Sequence, residues 1–143
     1  MQVKEILAVK GRDVATISQG RSLNDAVQLL RERGIGALVV SGPAGPLVGI
    51  LSERDVVRAL AVSGPDALAL TVADVMSTTV TTCVEATTID SLMALMTDKR
   101  IRHVPVVENG VVLGMVSIGD VVKWRVDELE HEKRDLIDYV SAR

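Results

Sequence analysis

Apolar residues recur along the chain in two rhythms, and the rhythms alternate in a fixed order. After Ser22 they fall at helical spacing, Leu23, Ala26, Val27 and Leu30, and after Thr88 the same spacing returns in Ile89, Leu92, Met93 and Met96. Ser22 and Thr88 carry the short hydroxyl side chains that cap a helix N-terminus, and Gly34 stands where the first helix stops. Behind each helix come two short apolar runs, residues 37–40 and 47–51, then 104–107 and 111–116, which read as paired strands. Residues 41–46, rich in Gly and Pro, join the first pair, and Glu108-Asn109-Gly110 joins the second, where Asn-Gly marks a tight hairpin. Ser52 and Ser117 then each open a further helix. A short amphipathic segment starts each set, at residues 3–7 and 72–76, and a short strand follows it, at 14–17 and 80–83. The predicted order, twice over, is strand, helix, strand, strand, helix.

The two sets are an internal repeat. At an offset of 66 residues, Val14-Ala-Thr-Ile17 falls on Val80-Thr-Thr-Cys83, Leu29 on Leu95, Ile35 on Ile101 and Val40 on Val106. One residue fewer in the turn makes the offset 65, and the nonapeptide starting at Gly49 then lies on that starting at Gly114, with Gly, Ser, Asp, Val and Val identical in place. Such a period is too long for a solenoid unit, so one small fold occurs twice. The expected organisation is a first repeat over residues 1–62, a linker over 63–71, a second repeat over 72–126 and a C-terminal helix over 127–143. Around that helix Val122, Val126, Leu129, Leu136 and Val140 keep a four-three spacing, interrupted by Lys133. The stripe suits docking on the body or on a partner chain.

Composition narrows the chemistry. Of 143 residues 48% are hydrophobic and 24% charged, which excludes intrinsic disorder. The core is aliphatic, with 24 valines, no Phe, one Trp and one Tyr. A net charge of −3 and the scarcity of aromatics argue against nucleic acid as the main partner. No apolar run is long enough to cross a bilayer, and the opening residues lack a signal-peptide pattern, so a cytoplasmic protein with no membrane role is expected. The lone cysteine, Cys83, sits in an apolar stretch and reads as a buried, inert thiol. Two histidines, His103 and His131, do not make a metal-ligand spacing, and no nucleophile–base pair stands out, so neither a metal nor an enzymatic activity is expected.

Two copies of this element order, each closing on Gly-x-x-Ser-x-x-Asp, resemble the cystathionine-β-synthase (CBS) domain pair, or Bateman module. The resemblance rests on residues 49–55 (GILSERD), residues 114–120 (GMVSIGD) and residues 101–107 (IRHVPVV), and it covers residues 3 to about 126. It implies an α/β (α+β) fold of tandem CBS repeats packed with pseudo-twofold symmetry around two equivalent clefts. It further implies a stand-alone regulatory module that binds an adenosine-containing ligand and signals to a regulated protein not identifiable from the sequence. AMP comes first among the ligands, with ADP, ATP, NAD(H) and S-adenosylmethionine beside it. A homodimer, four CBS repeats in a disc, is the implied assembly.

The motif chemistry agrees with that implication. A helix N-terminus offers free N–H groups to a phosphate, and Ser52 or Ser117 adds a hydroxyl. Asp55 or Asp120 has the two lone-pair sites to accept a ribose diol, while Gly49 or Gly114 removes a side chain where a ligand would approach. The resemblance implies that each cleft mixes parts of both repeats, one joining Ser52, Arg54 and Asp55 with Thr79, Val80 and Thr81 and with Ile101, Arg102 and His103. The other is expected to join Ser117 and Asp120 with Val14, Ala15, Ile35, Gly36 and Ala37. Arg102 and His103 make the first the expected nucleotide cleft, because phosphate needs cations. The same Ser-x-x-Asp is also a capping box that serves its helix with no ligand. A ligand-independent interaction or assembly protein with this fold is therefore the alternative.

Overall fold

The computed structural model describes residues 1–42 and 45–142; within the 41–46 connection, Pro43 and Ala44 lie outside the described residues. The chain order is α1 (Val3–Lys10), β1 (Thr16–Ser18), α2 (Leu23–Arg33), β2 (Ala37–Ser41), β3 (Leu47–Ser52) and α3 (Glu53–Ser63), then α4 (Val72–Val75), α5 (Ile89–Lys99), β4 (His103–Glu108), β5 (Val111–Ser117) and α6 (Ile118–Ser141). Capping follows the sequence closely. The hydroxyls of Ser22 and Thr88 accept from the backbone N–H of Asp25 and Ser91, and Gly34 ends α2 in the left-handed conformation at φ 61°. Asn109 and Gly110 both have positive φ, 52° and 75°, the requirement of the tight hairpin between β4 and β5.

Two sheets result. In the first, β1 runs parallel to β2 and β2 antiparallel to β3, with Ile17 opposite Val40. In the second, β4 and β5 pair antiparallel, and the strand expected at 80–83 is reduced to one parallel bridge, Cys83 opposite Val106. Two backbone bonds make that bridge: Cys83 N–H to the Pro105 carbonyl at 3.0 Å and Val107 N–H to the Cys83 carbonyl at 2.9 Å. The pairing is the counterpart of Ile17 with Val40 at the 66-residue offset, so the pseudo-symmetry survives where the strand does not. Burial keeps the Cys83 thiol neutral, pushing its pKa up to about 11.

The cores do not follow the order of the chain. Val3, Ile6 and Leu7 of α1 are buried with Ile89, Leu92, Val104 and Val116 of the second repeat, whereas Val72 of α4 is buried with Leu23, Leu38 and Leu51 of the first. Backbone bonds fix both exchanges. Val3 N–H donates to the Thr87 carbonyl at 2.9 Å, and Val72 N–H donates to the Arg21 carbonyl at 2.8 Å. Each repeat thus lends its opening helix to the other. Between the repeats the chain takes a 3-10 turn over Gly64–Ala69, whose Ala67 is buried in the first core.

The exchange also corrects the reading of two glycines. A Cβ on Gly49 would stand 2.6 Å from the Met76 sulfur and 2.8 Å from the Ser77 carbonyl oxygen, and one on Gly114 would stand 2.7 Å from Leu7 Cδ2. What these glycines admit is the crossing segment of the other repeat rather than a ligand. A second correction concerns the C-terminal helix. It is no separate extension: α6 runs unbroken from Ile118, which Ser117 caps, to Ser141.

Candidate functional site

Both Ser-x-x-Asp motifs form complete capping boxes. At α3 the Ser52 hydroxyl accepts from Asp55 N–H at 3.3 Å, and Asp55 Oδ2 accepts from Ser52 N–H at 2.9 Å and from the Ser52 hydroxyl at 3.1 Å. At α6 the Ser117 hydroxyl accepts from Asp120 N–H at 3.2 Å and Asp120 Oδ2 accepts from Ser117 N–H at 2.8 Å. The motifs differ in what the other elements bring to them.

Around the second motif the fold forms a half-open cavity of about 470 Å³, lined among others by Val14, Ala15, Ile35, Gly36, Ala37, Ser117 and Asp120. These seven are the residues expected to share one cleft. Four further lining residues carry charge or a titrating ring: Lys10, Asp13, Arg33 and His103. Lys10, at the end of the exchanged α1, donates from Nζ to Asp120 Oδ2 at 2.6 Å and to the Met115 carbonyl at 2.7 Å. Burial alone would raise the pKa of Asp120, but the bonds from Lys10 and Ser117 outweigh it and hold the carboxyl below its usual value.

His103, expected with the first motif, also lines this cavity, while its ring faces Glu53 of that first motif. It opens β4, and a Cβ on Gly36 would stand 3.0 Å from its Cε1 and 2.7 Å from Glu53 Oε1. Gly36 leaves room for the imidazole and for Glu53 together. Burial pushes the His103 pKa below its ordinary value, and Glu53 and Asp120 only partly offset this. Burial thus favours the neutral ring.

At the first motif Arg54 crosses to the other repeat and donates from Nη1 to the Arg100 carbonyl at 3.0 Å. That carbonyl belongs to the left-handed residue ending α5, at φ 53°, the counterpart of Gly34. Thr79, Val80 and Thr81 lie in the irregular stretch between α4 and the Cys83 bridge. Arg102 is exposed just before β4, its carbonyl accepting from Ile118 N–H at 2.8 Å, and Ile101 is half-buried against the second core.

Sequence reasoning missed Lys10, Asp13 and Arg33. Lys10 carried one faint signal, a basic residue three positions beyond the amphipathic segment at 3–7. Nothing in the repeat pattern places it beside Asp120, because the exchange of α1 is not visible in the spacing. Among the described residues no group of three or more His, Cys, Asp or Glu side chains is placed to hold a metal ion, and no helix is long and apolar enough to cross a membrane.

A tandem α+β repeat with exchanged opening helices, each repeat closing on a Ser-x-x-Asp capping box, is the class of architecture that results. The model of the CBS domain matches residues 3–62 and 72–127, and the chain belongs to that family. A mitochondrial CBS-domain-containing protein of Arabidopsis thaliana, CBSX3, is 40% identical over 122 residues; the match covers 82% of this chain and 59% of that protein, so the chain spans about three-fifths of that relative's length. The crystal structure of a CBS-domain-containing protein from Agrobacterium tumefaciens is similar at 45% identity and a TM-score of 0.85, covering 87% of this chain and 92% of that one. The CBS domain pair of protein MJ0100, solved in complex with 5′-methylthioadenosine and S-adenosyl-L-methionine, is similar at 27% identity and a TM-score of 0.80, covering 90% and 98%.

Proposed function

We propose that this CBS pair is a regulatory module that takes an adenine nucleotide, AMP first, in the cavity at the start of α6. The observation that carries the reading is the convergence of Lys10, Arg33, His103 and Asp120 on that one cavity. A mononucleotide needs a ribose acceptor and a cationic phosphate site, and this lining has both. Asp120 binds the diol through Oδ1, since Oδ2 serves Ser117 and Lys10. Lys10 and Arg33 face the phosphate, and the aliphatic Val14, Ala15 and Ile35 flank the adenine. The adenosyl ligands of the MJ0100 pair support the choice of ligand class. ADP, ATP, NAD(H) and S-adenosylmethionine are weaker candidates for the same place.

Occupancy reaches a partner through α1 and α6, because Lys10 and Asp120 tie the two helices together at the cavity. Two copies of the chain associate in this reading, and the module acts on a separate protein rather than catalysing a reaction. The test is a thermal-shift and calorimetry series with AMP, ADP, ATP, NAD(H) and S-adenosylmethionine. A ligand at 100 times its dissociation constant stabilises the fold by about 2.7 kcal/mol. A flat series at millimolar ligand overturns the proposal and favours the assembly protein, a reading supported by capping boxes that are complete without any ligand.

A further inference from the structure

Helix α6 leaves the body half-way along its length. Val121 is buried and Trp124 and Glu128 are half-buried, whereas every described residue from Leu129 to Ala142 is exposed. Its 24 residues span about 36 Å at 1.5 Å per residue, and the free half is too short to hold its shape alone in water. The exposed apolar residues are ordered. Val122, Leu129 and Leu136 take one set of positions, seven apart, and Val126 and Val140 take a second set, four residues further on, with Lys133 between them. Val at a and Leu at d is the arrangement that favours two parallel strands, and one lysine at an a position fixes register at some cost in stability. At 100° per residue this seam lies about a third of a turn from the side that Val121, Trp124 and Glu128 turn to the body, so the body leaves it open.

Charge selects the orientation. A parallel, in-register pair sets Arg125 at g opposite Glu130 at e of the second copy, and lets each Lys133 reach the other copy's Glu132. The antiparallel register that seats the same apolar positions sets Glu130 against Glu130 and Glu132 against Glu132. Arg125 meanwhile holds Glu128 of its own helix at 2.8 Å, between the body side and the seam.

We infer that α6 is the site where a second copy of this chain docks, forming a parallel two-stranded seam from Val122 to Val140. The inference rests on the association of two copies proposed above and adds its surface and direction. Leu136→Cys tests direction: in a parallel seam it meets its own counterpart and forms a covalent dimer on mild oxidation, while the buried Cys83 stays silent. Sedimentation equilibrium tests association, with Leu129→Glu plus Leu136→Glu expected to raise the dimer dissociation constant on the order of a hundredfold. A wild-type chain that sediments as a monomer overturns both the dimer and the seam. A dimer that withstands the double substitution, or that cross-links Val126→Cys to Leu136→Cys but not Leu136→Cys to itself, overturns the seam and leaves the dimer standing.

Discussion

The two Ser-x-x-Asp motifs are nearly superimposable in what they do for their own helices and opposite in what they receive from the rest of the chain. Asp55 and Asp120 both close a capping box with the serine three residues before them. Beside Asp55 the cation is on the motif itself, Arg54, and it is spent on the Arg100 carbonyl. Beside Asp120 the motif carries Gly119, and the cation arrives from outside, as Lys10 on the exchanged α1. When Val3 is matched to Val72, Lys10 matches Thr79, so the corresponding position behind the other exchanged helix carries no charge. A repeated motif fixes the helix start; the crossing element decides which copy gains a cationic cavity.

The largest expected effect breaks or keeps that asymmetry directly. Asp120→Ala removes charge-assisted bonds worth roughly 1.5 to 3 kcal/mol each, so AMP affinity by calorimetry is expected to fall at least about tenfold. Asp55→Ala is expected to change it by less than about threefold, since its effect is confined to a helix cap. Equal losses would mean that both clefts are occupied. Lys10→Met separates phosphate from ribose: AMP weakens, while adenosine holds or improves because the ammonium no longer competes for the Asp120 carboxylate.

Next in size is a difference in packing between the two exchanged segments. Gly114→Ala meets only the tip of Leu7, which can turn aside, whereas Gly49→Ala meets both the Met76 side chain and the fixed Ser77 carbonyl. Overpacking costs about 1 to 3 kcal/mol, and Gly49→Ala is expected near the upper end and Gly114→Ala near the lower. Each kcal/mol lowers Tm by about 3 °C for a chain of this size, which differential scanning calorimetry resolves. An equal drop for both would show that the Ser77 backbone yields as readily as a leucine side chain.

The pattern of apolar residues, caps and turn signals was enough to read the repeat, the helix starts at Ser22, Ser52, Thr88 and Ser117, and the Asn109–Gly110 hairpin, because those depend on neighbours in sequence. The strand at 80–83 failed because its one paired residue, Cys83, is held by Val106 at a distance the local β-propensity cannot report. The grouping of Ser117 and Asp120 with Val14, Ala15, Ile35, Gly36 and Ala37 came from the family resemblance, and all seven line one cavity. Lys10, Arg33 and the place of His103 on that cavity were not legible, since each depends on which repeat a helix or a strand end packs against. Non-local exchange leaves no period in the sequence.

The smallest effect uses His103 to report on the same cavity through pH. In the free protein burial holds its pKa below the ordinary value, so the folded state binds fewer protons than the unfolded chain around pH 6. Its contribution to stability is therefore complete above about pH 6.5 and is lost as pH falls below that. A bound phosphate reverses the preference by favouring the imidazolium, so AMP binding takes up protons and tightens by about two- to threefold from pH 8 to pH 6. Adenosine, lacking the phosphate, shows no such gain. The two slopes run in opposite directions, and His103→Gln is expected to flatten both: Tm of the free protein against pH, and AMP affinity against pH. If the substitution flattens the first and leaves the second unchanged, His103 is a buried ring beside Gly36 with no phosphate near it, and the cationic end of the cavity reduces to Lys10 and Arg33.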